Sequence, residues 1–199
     1  MKNIPASYKL LIGRYLLSLL FLYLTQTAFY LLNANLFQID SFGSFFKIFL
    51  GCTRYALSSL SVFLAPYLLL CLLPVPVKSK KIYRYAEDIF FYAGNIFMMA
   101  VNLIDTGYYR FTFKRLTADI TRYLGVGGDF KELIPQFLRD YWQIVVIFIV
   151  LLSAFIFADK FLRRRNKDEQ KTFTRKSFLT QSMVLIIIVP LLVIAQRGG

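Results

Sequence analysis

The side chains best placed to do chemistry lie between Asn102 and Arg122. Asp105, Arg110, Lys114, Arg115, Asp119 and Arg122 follow the end of a long apolar run, with Tyr108, Tyr109, Phe111 and Phe113 among them. Cations at this density can hold a phosphate through charge-assisted hydrogen bonds, and Tyr108 and Tyr109 suit the depth of a lipid headgroup. Ordinary anchoring of an amphipathic segment at an interface explains the same composition, and both readings stand at this point. Nucleophilic and metal chemistry are a poor fit. The chain has no histidine, so the commonest general base and the commonest metal ligand are absent. No Ser-His-Asp, Cys-His, Walker-type or CxxC arrangement occurs, and the Gly125, Gly127, Gly128 loop lacks the Lys-Ser/Thr of a phosphate cradle and reads as a turn. No residue is therefore assigned a catalytic or metal-binding role.

The elements that must position these groups are apolar spans. The 199 residues are 57% hydrophobic and 18% aromatic, against about 45–50% apolar for a soluble domain, and the excess lies in runs. The expected fold is an all-α integral membrane domain with five transmembrane helices, at about 10–32, 56–73, 89–104, 142–158 and 178–195. Amphipathic interfacial helices are expected on the outer face, at about 45–55 and 110–124. In the second of these, Phe113, Leu116, Ile120, Tyr123 and Leu124 share one side while Arg115, Asp119 and Arg122 pair opposite charges at i, i+4 and i+7 on the other. The long apolar run from Leu10 exceeds a signal-peptide core and has no small-residue cleavage site. Arg14, one turn inside it, is read as snorkelling to the nearby interface, with a buried ion pair as the alternative.

Pro66 predicts a kink in the second span, and Pro74 and Pro76 end it. Glu87 and Asp88 at the start of the third span favour the positive end of its helix dipole. Asn95 and Asn102 share a face and are expected to bond between helices. Tyr141 and Trp142 form an aromatic belt at the fourth span. Cys52 and Cys71, read on one helix, would stand roughly 28 Å apart at ~1.5 Å per residue, too far for a disulfide.

The net charge of +13 could mean nucleic acid, but the basic residues sit at span ends, which favours orientation in an anionic bilayer. With the N-terminus in the cytoplasm, the inner segments (1–9, 74–88, 159–177) hold fourteen Lys and Arg and the outer ones nine. The positive-inside rule then places the C-terminus, and the 105–140 connector, outside. Gly198-Gly199, a few residues past the last span, reads as truncation before a further domain.

The run Asn102-Leu-Ile-Asp105, Tyr108-Tyr109-Arg110-Phe111, Lys114-Arg115, Thr117 and Asp119-Ile120 resembles the segment after the third span in the lipoteichoic acid synthase family of bacterial phosphoglycerol transferases and sulfatase-like proteins. Arg197-Gly198-Gly199 is similar to the family's exit from the fifth span. Gly51–Pro74 is compatible with its second span, although the aspartate often found after that glycine is missing from Thr53-Arg54-Tyr55-Ala56. The resemblance spans the chain in layout but is specific only at 102–119 and the last three residues. It implies an N-terminal five-helix domain in the bacterial cytoplasmic membrane, followed outside by an alkaline-phosphatase-like catalytic domain with a threonine nucleophile and a divalent metal, typically manganese. Relatives act as sulfatases or phosphoethanolamine transferases.

Two functions follow as expectations. The first is a membrane anchor that presents anionic lipid headgroups to that missing catalytic domain, using Asp105, Tyr108, Tyr109, Arg110, Lys114, Arg115, Asp119 and Arg122 for headgroup or domain docking. No cofactor is expected in these residues. The second is a complete small transporter or channel subunit, with Asn95, Asn102 and Asp105 along a path.

Overall fold

The computed structural model describes residues 6–37, 41–73, 75, 78, 80–114, 139–165, 182–183, 185–190 and 193–194. All regular structure among them is helical. Helix α1 is Ala6–Leu32, α2 Phe42–Phe63, α3 Ala65–Leu72, α4 Lys81–Thr112 and α5 Trp142–Arg165. Three segments, Tyr8–Leu32, Lys81–Arg110 and Trp142–Arg165, are long and apolar enough to cross a membrane, and α2 with α3 would make a fourth if the bent pair is one span. Of the expected fifth span, residues 182–183, 185–190 and 193–194 are described, and they are helical.

Side-chain contacts set the helix directions. Arg14 of α1 meets Asp88 of α4, and Asn33 at the far end of α1 meets Arg110 of α4, so these helices run parallel. Helix α5 is antiparallel to both, because Asp159 near its C-terminus reaches Arg14 while Ile144 near its N-terminus adjoins Leu32 and Arg110. The core fills the space between them with Leu17, Phe21 and Leu22 of α1, Ala56 and Leu60 of α2, Phe91, Met98 and Met99 of α4, and Phe155 of α5. Phe155 stacks on Phe91 with ring centroids 5.5 Å apart, and Tyr67 of α3 closes on Phe91 at 5.0 Å.

The second span departs from expectation. Residues 45–55 are not a separate lead-in; α2 runs unbroken from Phe42, started by Ser41, whose side chain accepts from the Ser44 amide. The break falls at Leu64, where the axis bends by 61°. Pro66 stands in the first turn of α3, where a missing N–H and a preset φ suit a helix start. Gly94 of α4 makes the close crossing possible: a Cβ there would stand 2.5 Å from the Phe63 carbonyl oxygen. Cys52 and Cys71 consequently lie on different helices, both as free thiols. Tyr83 Oη donates to the Leu70 carbonyl at 2.7 Å and Lys78 Nζ to that of Cys71 at 2.7 Å, satisfying acceptors that the end of α3 leaves open.

The third and fourth spans are longer than their apolar centres. Arg110, expected to open an interfacial helix, instead belongs to α4, which ends when Phe113 turns left-handed at φ 52°. The rest of that expected helix, 115–124, lies outside the described residues. Helix α5 starts at Trp142 as expected but carries Arg163, Arg164 and Arg165, assigned above to a loop, in its last turn. Cations there suit the negative end of the helix dipole.

Candidate functional site

Opposite ends of the bundle carry two polar sites. The first is a closed cluster of four charges. Arg14 is 3% exposed, not snorkelling. Its Nε donates to Asp159 Oδ1 at 2.8 Å, and its Nη2 donates to Asp159 Oδ2 at 3.2 Å and to Asp88 Oδ1 at 2.9 Å. Arg163, one turn beyond Asp159 on α5, donates through Nε to Asp159 Oδ2 at 2.8 Å and grips both oxygens of Asp88 at 2.7 and 2.8 Å. Tyr92 Oη adds a bond of 2.7 Å to Asp159. Asp88 thus serves as a bridge between α4, α1 and α5, a larger role than complementing the dipole of its own helix.

The physics of this cluster is structural. An isolated charge in a low-dielectric interior is costly, and pairing with full hydrogen bonding is what makes it tolerable. Asp159 accepts four bonds and Asp88 three, close to the capacity of a carboxylate. Two cations balance two anions. The Arg14 guanidinium also lies over the Phe91 ring, 4.4 Å from its centroid, an added attraction. Each carboxylate is held by both arginines, so the cluster works as a clamp joining α1, α4 and α5.

The second site lies some 27 Å away, taking 18 residues from Arg14 to Leu32 at ~1.5 Å each. Here Asn33 is the hub. It is buried, and its Nδ2 donates to the Phe29 carbonyl at 3.0 Å and to the Thr106 carbonyl of α4 at 3.2 Å. Its Oδ1 accepts from Arg110 Nε at 3.3 Å, while Arg110 Nη2 donates to the Leu32 carbonyl. Among the described residues no carboxylate lies within ion-pair distance of Arg110. These two bonds engage two of its five N–H groups. Arg110 borders a polar hollow of about 250 Å³ that is also lined by Leu32, Thr106, Asp140, Tyr141, Gln143 and Ile144.

A separate apolar cavity of about 540 Å³ lies between α1 and α2. Tyr23, Phe29, Tyr30, Phe37, Phe49 and Tyr55 supply much of its wall, and Tyr109 of α4 reaches it too. After the single turn Ala34–Leu36, Phe37 folds back to stack on Tyr109 at 5.5 Å, and Phe29 meets Tyr109 edge-on at 5.3 Å. Tyr23 Oη donates to Thr53 Oγ1 at 2.7 Å across the same gap.

Of the residues proposed for headgroup or domain docking, Asp105 is buried, Tyr108 and Tyr109 are half-buried, and Arg110 and Lys114 are exposed. Arg115, Asp119 and Arg122 lie outside the described residues. The helix end therefore brings Tyr109 to the apolar cavity and Arg110 to the polar hollow. Asn95 and Asn102 donate to Phe91 and Met98, carbonyls of their own helix, at 2.8 and 2.9 Å rather than across to a neighbour. Among the described residues Asn95 Oδ1 is buried with no partner, and neither asparagine lines either hollow. Among the described residues no group of three or more His, Cys, Asp or Glu could hold a metal ion.

Asn33 and Asp159 were both passed over in the sequence. Each carried a signal: Asn33 directly follows the last apolar residue of a helix, where Asn is favoured, and Asp159 is a lone acid one helical turn before Arg163. Compared with protein-family models, curated proteins and solved structures, the chain matches none of them.

Proposed function

We propose that this chain is a membrane domain that holds a phospholipid headgroup at the Arg110 end and presents it to an extracytoplasmic enzyme of the phosphoglycerol or phosphoethanolamine transferase or sulfatase-like kind. One observation carries the proposal: among the described residues Arg110 is held by an amide oxygen and a backbone carbonyl and by no carboxylate, and three of its five N–H groups remain for a ligand. A guanidinium held this way at the rim of a polar hollow is suited to a phosphate. The lipoteichoic acid synthase-like run around Asp105–Asp119 supports the same reading. With the N-terminus in the cytoplasm, the hollow faces the outer leaflet of a bacterial cytoplasmic membrane. Catalysis and its divalent metal belong to the domain expected to follow, not to these residues.

The test is lipid retention. The full chain, purified from bilayers of mixed phospholipids, is expected to carry anionic phosphatidylglycerol above its bulk share. Replacing Arg110 by Ala should reduce that enrichment by about tenfold, the equivalent of ~1.4 kcal/mol. Equal retention of all headgroups by the wild-type chain, or enrichment that survives Arg110→Ala, defeats the proposal. For the enzymatic half, coding sequence beyond residue 199 should carry an alkaline-phosphatase-like domain, and Arg110→Ala in that longer protein should slow turnover of anionic lipid while insertion stays normal.

A further inference from the structure

We infer that Asp140 selects the headgroup: its carboxylate accepts a hydrogen bond from a donor on the second carbon beyond the phosphate that Arg110 holds. The inference rests on the headgroup proposal for the phosphate, and on a separate residue for what lies beyond it.

Three observations lead to it. First, Asp140 and Arg110 line the same polar hollow, Asp140 from the residues just before α5 and Arg110 from the last turn of α4. Second, the two do not satisfy each other. Arg110 gives its side-chain bonds to Asn33 and Leu32, and among the described residues the Asp140 carboxylate has neither a hydrogen bond nor an ion pair. At the clamp, opposite charges close directly on each other; here they stand apart on the wall of one hollow. An occupant that joins them must accept hydrogen bonds at one end and donate at the other. Third, the hollow is small. Its volume of about 250 Å³ lies below the roughly 300–1,000 Å³ of a drug-sized site, so it suits a headgroup whose acyl chains stay in the bilayer.

A phosphodiester with a donor in its headgroup meets both demands. Its free oxygens accept from the guanidinium, and its donor reaches the carboxylate. In phosphatidylglycerol the donor is the hydroxyl on the second glycerol carbon. In phosphatidylethanolamine it is the ammonium, also on the second carbon. A carboxylate that only complemented the dipole of α5 would act on stability and would not tell apart two headgroups of equal charge.

That difference is the test. The full chain is purified from bilayers containing equal amounts of phosphatidylglycerol and phosphatidylethanol, which carry the same charge but differ in the hydroxyls. Phosphatidylglycerol should be retained about fivefold over phosphatidylethanol, a modest factor because Asp140 and Arg110 are both exposed. Asp140→Ala should bring the ratio to one without lowering retention of phosphatidylethanol, since the carboxylate it removes repels a phosphate. A second bilayer pairs phosphatidylethanolamine with phosphatidylcholine, whose quaternary nitrogen has no N–H. A preference for phosphatidylethanolamine that Asp140→Ala removes supports the inference and names the ammonium as the donor. Equal retention within both pairs by the wild-type chain overturns the inference without recourse to any variant, as does a preference that survives Asp140→Ala. The two proposals fail separately. Arg110→Ala should lower retention of phosphatidylglycerol and phosphatidylethanol alike. If it does so while Asp140→Ala alters nothing, the headgroup site stands and the selection by Asp140 falls. If Arg110→Ala leaves both retained as before while Asp140→Ala still abolishes the ratio, the phosphate site falls and Asp140 keeps its role.

Discussion

At one end of the bundle Arg14 and Arg163 meet two carboxylates; at the other Arg110 meets an amide oxygen and a backbone carbonyl. The residue type is the same, and in each place hydrogen bonds from neighbouring helices hold the guanidinium still. What differs is compensation. Asp88 and Asp159 balance both charges of the clamp, and most of their acceptor sites are taken, so that end is suited to locking helices. Among the described residues only neutral oxygens hold Arg110, with no carboxylate paired to it. A fixed arginine is therefore a structural part where its partners are acids and a candidate ligand-binding part where they are not.

The contrast predicts a graded series of substitutions. The largest effect belongs to Asp159→Ala, which leaves buried Arg14 with Asp88 as its one remaining carboxylate among the described residues. By analogy with buried pairs that lose one partner it should cost about 3–5 kcal/mol, read as a shift in denaturant-induced unfolding in detergent. Replacing Arg14 by Met and Asp159 by Leu together should recover most of that loss. A single Asp159→Ala variant as stable as wild type would dissolve the distinction between the ends, because the clamp would then hold nothing.

Next comes Gly94→Ala, midway along α4. Its new methyl would press on the Phe63 carbonyl, backbone that can yield only if α2 and α4 separate. Overpacking of this kind should cost about 1–3 kcal/mol, visible in the same unfolding curves; no change would mean that the α2–α3 bend moves freely.

Arg110→Ala comes third in stability, although first in lipid binding. Losing its part-buried bond to Asn33 and its exposed bond to Leu32 should cost about 1 kcal/mol. If thermal unfolding instead showed a loss as large as that of Asp159→Ala, Arg110 would be a second clamp and its ligand role would fall. The smallest effect is expected for Asn95→Leu. The change loses the Nδ2 bond to the Phe91 carbonyl but also removes the unpartnered, buried Oδ1, two opposing contributions that should leave stability within about 1 kcal/mol of wild type. A clear loss in the melting temperature would point to an Asn95 contact that the static structure does not contain.

The places of the three long apolar helices α1, α4 and α5 were legible because apolar runs of this length have few other uses. The start of α5 at Trp142 and the kink associated with Pro66 also follow from local rules. The ends of the helices did not, because polar residues can extend a helix past its apolar core whenever tertiary partners satisfy them. Arg163 remains helical in α5 by bonding to Asp88 and Asp159, and Arg110 remains in α4 by bonding to Asn33. The expectation for Arg14 failed for the same reason: its anionic partners lie 74 and 145 residues further along the chain, and no window of local sequence contains them. For Tyr109 and Arg110 the sequence signalled an aromatic and basic cluster, but not that each would line a different cavity.

Composition, charge placement and periodicity by themselves determine an all-helical chain with helices long and apolar enough to cross a membrane, and the absence of histidine from its chemistry. These are properties of residues and their near neighbours, and they need no knowledge of what packs where. Which arginine is neutralised and which keeps its charge was decided only when α1, α4 and α5 came together. Coulomb energy and hydrogen bonding depend on distances between groups, and for residues far apart in sequence only the packed helices define those distances.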